Sequence, residues 1–318
     1  MLKDISETHK AGGDTAACIA KYNERYKFMY IYNDNVFKIL FGSPENEKIT
    51  IDFLNAVLGF IGSDCINNLA YINPALPDAF GKSITSDIVA TDQRLDRIVL
   101  EVQHIEDDSY NARLVLYTAK HTIASRIKGE DYALQNLNLI SLQMFDGFPN
   151  SPNYRHSIRF KNQENEEFYD KQTITLVEIP KFLKGNFATD NSRIAQWLRV
   201  IDGLNNETPV AVPEGTPFAL LQEKAQLSIF TEEFLVSEAM KMSDHKYELY
   251  VEKKHARKEG LEEGRAEGRA KGLTEGADAK AREMAAAMLA DGDSVEKVVR
   301  ISKLPESDVL AIKACLQK

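Results

Sequence analysis

The sequence predicts an α/β protein, a mixed β-sheet with helices packed on it, followed by a helical C-terminal extension. Three observations carry this. Ile84-Thr-Ser-Asp-Ile-Val-Ala-Thr91 and Arg97-Ile-Val-Leu-Glu-Val-Gln103 are β-branched, apolar runs joined by the polar turn Asp92-Gln-Arg-Leu-Asp96, the pattern of an antiparallel hairpin. A helical pattern over residues 110–127 and a further apolar run over 137–145 follow, an order that makes the helix a crossover on the sheet. From about residue 247 the composition shifts to Lys, Glu, Arg and Ala. The division that results is a loose N-terminal arm (1–28), an α/β domain (29–245) and a charged helical extension (246–318).

Taken in order, residues 1–28 are polar, contain Gly12-Gly13 and read as the loose arm. Asp34 starts a short helix with Val36, Phe37, Leu40 and Phe41 at helical spacing, where it is either the cap or a functional carboxylate. Residues 47–58 form an amphipathic helix with Ile49, Phe53, Leu54, Val57 and Leu58 inward, stopped by Gly59. A connector with a short strand leads to the hairpin. In the following helix Leu114, Tyr117, Ala124 and Ile127 suit an inward face, and Arg113, Lys120 and His121 another, before Gly129 ends it. Residues 154–160 and 173–179 give one more strand pair. Helices follow from residue 189, with Trp197, Leu198 and Ile201 in the core, and from 219 to 242 after a proline-containing loop.

In the extension, Gly260, Gly264, Gly268, Gly272 and Gly276 recur every fourth residue. Each costs an exposed helix roughly 1 kcal/mol against alanine. The stripe suits either homo-oligomerisation by close backbone approach or a marginally helical linker with i,i+4 charge pairs. Residues 277–290, 294–304 and 305–316 read as three helices, with Ser294-Val-Glu-Lys297 as a capping arrangement. The break at Leu304-Pro305 suits a helix-turn-helix or a small helical clip without nucleic acid; Arg300, Lys303 and Lys313 are thin for a recognition surface.

Composition bounds the function. Hydrophobic residues at 43% and charged residues at 27% of 318 describe an ordinary soluble globular chain. No apolar run reaches the length of a membrane span, and the first ten residues lack a secretory core. Cys18, Cys65 and Cys315 show no metal-site spacing, which points to thiols in a reducing, cytoplasmic setting. A net charge of −9 argues against non-specific coating of nucleic acid. It leaves room for a local site where a bound cation supplies the positive charge. Walker loops, G-x-G-x-x-G, H-E-x-x-H and G-x-S-x-G elbows are missing, so nucleotide-cofactor, zincin and serine-hydrolase readings lack support.

The candidate chemistry sits on the hairpin. Side chains alternate faces along a strand, so Glu101 and Gln103 point one way while Leu100 and Val102 point the other. Asp87 on the neighbouring strand completes a compact set of oxygen ligands of the kind Mg²⁺ takes, with water and phosphate filling the rest.

Asp87 followed by Glu101-Val-Gln103 resembles the Asp…Glu-x-Lys core of the PD-(D/E)xK nucleases. More narrowly it resembles the recombination-promoting nuclease/putative transposase family, where Gln stands in the lysine position. Asp34-Asn-Val-Phe-Lys-Ile-Leu-Phe-Gly42 is similar to that family's opening motif. Arg113-Leu-Val-Leu-Tyr117, Lys128-Gly-Glu-Asp-Tyr132 and the glycine-spaced tail from Arg257 are similar to its later segments.

The resemblance covers the chain from about Tyr30 onward. It implies a restriction-endonuclease-like core, DNA as partner, Mg²⁺ (or Mn²⁺ or Ca²⁺) as cofactor and a bacterial setting in recombination or mobile elements. On this reading Asp87 and Glu101 are catalytic carboxylates that bind the metal, and Asp34 adds a third carboxylate. Gln103 orients water without bringing charge. Lys120 is a candidate for the missing charge, and Arg113 and Tyr117 either touch phosphate or brace the sheet. Two other classes compete with the endonuclease: a DNA-binding protein that does not cut, and an assembly module working through the tail.

Overall fold

Arg97–Gln103 (β5) lies inside a six-stranded mixed sheet, because an apolar run with little alternation is stable only where both faces are covered. The order is β1 (Leu69–Tyr71), β4 (Ile88–Asp92), β5, β6 (Leu137–Gln143), β8 (Glu167–Glu178) and β7 (Arg155–Lys161). β5, β6 and β8 are parallel neighbours, and the remaining pairs are antiparallel. The β5–β6 crossover carries α5 (Tyr110–Ala124). The computed structural model describes residues 1–76, 84–106, 109–127, 129, 132–185, 187–242, 269, 272, 276 and 278–316. They fall into two compact units, Met1–Met240 and Lys241–Lys318.

The β4–β5 turn is built by Asp92, whose carboxylate accepts from the backbone N–H groups of Arg94 and Asp96 and from the Arg94 guanidinium. Leu95 takes the left-handed conformation (φ 66°) that closes it.

Alternation along β5 divides two apolar layers. Ile98, Leu100 and Val102 enter the larger core, and Val99 enters a smaller one beneath Tyr110 and Leu114 of α5. The larger core is covered by α3 (Asp34–Gly42), α4 (Glu47–Leu58) and α7 (Arg193–Asn205). Its centre is aromatic: Trp197 lies 5.6 Å from Phe53, 6.4 Å from Phe41 and 4.6 Å from Phe218. Buried indole N–H groups need acceptors, and Trp197 donates to Asp52 Oδ1 at 2.7 Å. α4 stops at Gly59 in the left-handed conformation, as its sequence predicts.

Several sequence expectations change. Residues 1–28 are largely helical: α1 (Leu2–Lys10) and α2 (Thr15–Asn23) bury Ile5, Ile19 and Tyr22 in the larger core. Thr15 bonds Glu232 of α9 (Glu232–Met242), and Tyr22 bonds Asp4. The predicted 219–242 helix is α8 (Pro217–Lys224) and α9. Between them the chain pairs with the 27–29 segment through Leu227 N to Lys27 O and Met29 N to Ala225 O, each 2.9 Å.

The cap of α3 is Asn33, whose amide oxygen accepts from Asn35 and Val36 N–H, so Asp34 is the first helical residue. α5 ends at Ala124, and its buried face is Tyr110, Leu114, Thr118 and His121, with Ala124 exposed. The 84–91 run is broken. Ile84–Thr85 (β3) pairs with Ala75–Leu76 (β2) apart from the main sheet, and Asp87 occupies the bend before β4.

In the second unit, residues 278–290 are helical and precede α10 (Val295–Ser302) and α11 (Glu306–Leu316). Ser294 caps α10 through Lys297 N–H, and Ala285, Val298, Leu304 and Val309 form a small core. Of the glycine stripe, Gly272 and Gly276 are helical, while Gly260, Gly264 and Gly268 lie outside the described residues. No described helix is long and apolar enough to cross a membrane.

Candidate functional site

Asp87 is positioned by the end of the β4–β5 ladder. Backbone pairing runs to Ile88 opposite Leu100, and the Asp87 side chain then takes over, with Oδ2 accepting from Val102 N–H at 2.9 Å. The register that pairs Ile88 with Leu100 brings Asp87 opposite Glu101. Two carboxylates therefore share one spot at the edge of the smaller apolar layer.

Glu101 carries the electrostatic burden of that spot. Its Oε1 is buried without a hydrogen-bond partner. Burial, and then the adjacent Asp87 charge, push its carboxyl up to about 8. Hydrogen bonds from Ser86 and the Asp87 backbone, and the Lys38 charge, work in the other direction. A buried carboxylate oxygen left without a donor, next to a second carboxylate, suits a hard cation. Among the described residues no three or more His, Cys, Asp or Glu side chains converge as a metal site. Such a cation would be held by Asp87 and Glu101, with other positions left to water and phosphate oxygens. That sparse ligand set is the one Mg²⁺ ordinarily takes from a protein.

A cation of the protein's own is already present. Lys38 of α3 places Nζ 3.0 Å from Asp87 Oδ1. Asp34, one turn earlier on α3, pairs with His104 Nε2 at 3.3 Å. The pair is mutually supportive: the His104 hydrogen bond holds the Asp34 carboxyl below its ordinary value, and Asp34 raises the His104 imidazole. Neither Lys38 nor His104 emerged from the sequence, although Lys38 shares a helix face with Asp34 at i,i+4.

Gln103 is engaged at both ends. Its Oε1 accepts from Arg113 Nη2 at 2.8 Å and its Nε2 donates to the Ile105 carbonyl at 2.7 Å. Arg113 also lies 5.6 Å over the Tyr110 ring. The Tyr117 hydroxyl has its pKa raised by burial and then by the Glu101 charge. Lys120 is half-buried on α5; the ammonium seated on Asp87 is that of Lys38.

Behind the carboxylates lies a buried chain. Arg97 Nε donates to His121 Nδ1 at 3.0 Å, and His121 Nε2 lies 3.0 Å from Ser86 Oγ. His121 and Ser86 are fully buried. Burial, and then the Arg97 charge, lower the His121 imidazole to about 4 from 6.5. Unfolded chains therefore bind a proton at His121 below pH 6.5 that the folded protein refuses until about pH 4. This contribution to stability is complete above pH 6.5 and is lost as the pH falls through that window, by up to about 3 kcal/mol. Urea midpoints of wild type and His121→Gln between pH 7 and pH 4.5 check it. Wild type is expected to lose stability more steeply, and parallel curves would refute the assignment.

A family model described as PD-(D/E)XK nuclease family transposase matches residues 31–263. Neither the curated proteins nor the solved structures return a match.

Proposed function

Because the chain belongs to the PD-(D/E)XK nuclease family transposases, we propose that it is a divalent-cation-dependent DNA endonuclease with Asp87 and Glu101 as its cation ligands. Membership carries a nuclease or transposase-like role. The observation that most supports the finer reading is the pair itself: Asp87 opposite Glu101, whose buried Oε1 makes no hydrogen bond. A bound Mg²⁺ or Mn²⁺ supplies charge stabilisation at the phosphoryl oxygen and a water of lowered pKa.

The other residues hold and orient. Lys38, seated on Asp87, brings the positive charge that Gln103 does not carry. Gln103 instead brackets Arg113, fixing a guanidinium beside the site where a phosphate oxygen can meet it. Asp34 raises the His104 imidazole on the approach from α3, and Tyr117 and Lys120 remain candidates on α5. The proposed setting is cytoplasmic DNA recombination or mobile-element movement. Self-association through the extension belongs to the same proposal.

Purified protein incubated with supercoiled plasmid and Mg²⁺ or Mn²⁺, beside Asp87→Ala, Glu101→Gln and an EDTA control, tests it. Nicking lost in both variants and on chelation supports the reading, and cutting that persists in both removes this site. A DNA-binding protein that does not cut is the second reading, favoured by the full engagement of the Gln103 amide. DNA retention without nicking would select it.

Lys38 makes a separate prediction. Lys38→Met is expected to slow nicking by about 10²-fold, the scale of one preorganised charge at developing phosphoryl charge, while Lys38→Arg keeps most of the rate. Single-turnover nicking rates read this directly, and a full-rate methionine variant would exclude Lys38 from the chemistry.

A further inference from the structure

The chain of Arg97, His121 and Ser86 has a direction that the donor inventory dictates. A guanidinium has donors and no acceptor, so Arg97 Nε–H can only donate to His121 Nδ1. That nitrogen must therefore present its lone pair, and the neutral ring carries its proton on Nε2. Nε2–H then donates to Ser86 Oγ across 3.0 Å. With an oxygen lone pair occupied by His121, the Ser86 hydroxyl proton is available to a further acceptor. Ser86 immediately precedes Asp87, and the β4–β5 register sets this segment against Glu101 and Val102.

We propose that Arg97, His121 and Ser86 are positioning residues for the cation site. Their one-way hydrogen-bond chain aims the Ser86 hydroxyl proton at the Glu101 carboxylate and fixes the bend that presents Asp87. This rests on the reading of Asp87 and Glu101 as ligands of a divalent cation.

Two further observations agree. The Ser86 hydroxyl favours the charged form of Glu101, against burial and the Asp87 charge. His121 and Ser86 are sealed from solvent, and Arg97 is 7% exposed, so water cannot substitute for any link. The chain thus does for the carboxylates what outer partners do for other metal ligands, where loss of one costs about 10–100-fold in affinity or activity.

The test uses the full-length protein with three variants. His121→Gln preserves the polarity, since its amide oxygen can accept from Arg97 and its NH₂ can donate to Ser86. His121→Leu keeps bulk and removes both bonds, and Ser86→Ala removes the last link. Mn²⁺ affinity, read by electron paramagnetic resonance of free Mn²⁺, is expected to fall about 10–100-fold in His121→Leu and Ser86→Ala. In His121→Gln it is expected to stay within about threefold of wild type.

A ¹⁵N spectrum of imidazole-labelled wild type reads the tautomer without any metal or DNA, with Nε2 protonated and Nδ1 bare as the expected state. A proton on Nδ1, or Mn²⁺ affinity unchanged in His121→Leu and Ser86→Ala, overturns the proposal. Wild type that binds no Mn²⁺ at millimolar concentration sinks the cation-site reading, and this proposal with it. A glutamine variant as impaired as leucine, with the same circular dichroism as wild type, also counts against it.

Discussion

Glu101→Gln is expected to abolish plasmid nicking and, at the same time, to raise the melting temperature. The loss of nicking should be at least about 10²–10³-fold, the scale of removing one preorganised partner of developing charge. The gain in stability has a separate origin. The Glu101 carboxyl has an ordinary value of 4.5 and titrates near 8 in the fold, because burial and Asp87 both oppose its charge.

Between those values the unfolded chain releases a proton that the folded one retains, so wild-type stability falls as pH rises from 4.5 to 8. At pH 7 this amounts to about 3 kcal/mol. A neutral amide of the same shape escapes it, so the benefit of Glu101→Gln is absent near pH 4.5 and large at pH 7. Calorimetric melting of both proteins across that range, without added metal, measures it. A variant that melts below wild type at pH 7 would show that the carboxyl stabilises the fold and that its burial has been misread.

Trp197→Ala is expected to destabilise the protein by about 3–5 kcal/mol. The ring is fully buried among Phe41, Phe53 and Phe218, and its N–H is spent on Asp52, which would keep only its pairing with Arg193. Trp197→Phe keeps most of the packing and loses mainly the hydrogen bond, about 1 kcal/mol. Trp197 is the only tryptophan, so the readout is the urea midpoint by circular dichroism. The two variants should separate in midpoint at similar slope. Equal, small shifts would mean that the site collapses around the gap. Because Phe41 belongs to α3, which also carries Lys38 and Asp34, a packing defect here reaches the site through a rigid element.

Much of this was legible in the sequence, and the parts that were not share a cause. The alternating direction of side chains along a strand placed Glu101 and Gln103 on one face, and the order strand, helix, strand placed α5 as a crossover. Asp87 comes opposite Glu101, but from the bend before β4 and not from a continuous 84–91 strand. What failed was long-range or locally ambiguous. Lys38 meets Asp87 only because α3 packs where β4 begins, and no periodicity reports a contact across 49 positions. His121 looked like a polar residue for an outer face, yet Arg97, another residue of polar type in an apolar run, makes burial tolerable by pairing with it. In the first 28 residues the Gly12-Gly13 pair and the interspersed charges hid two short helices. Their order comes from Ile5, Ile19 and Tyr22 reaching a core assembled by the rest of the unit.

The hydrogen bond from Val102 N–H to Asp87 has one more implication. That amide belongs to an interior strand yet is bonded to a side chain whose charge any arriving cation must share. Its proton resonance and its exchange with deuterated solvent thus register events at the carboxylate from a backbone position that no substitution needs to alter. Val102 is a built-in spectroscopic witness to occupancy of the carboxylate pair.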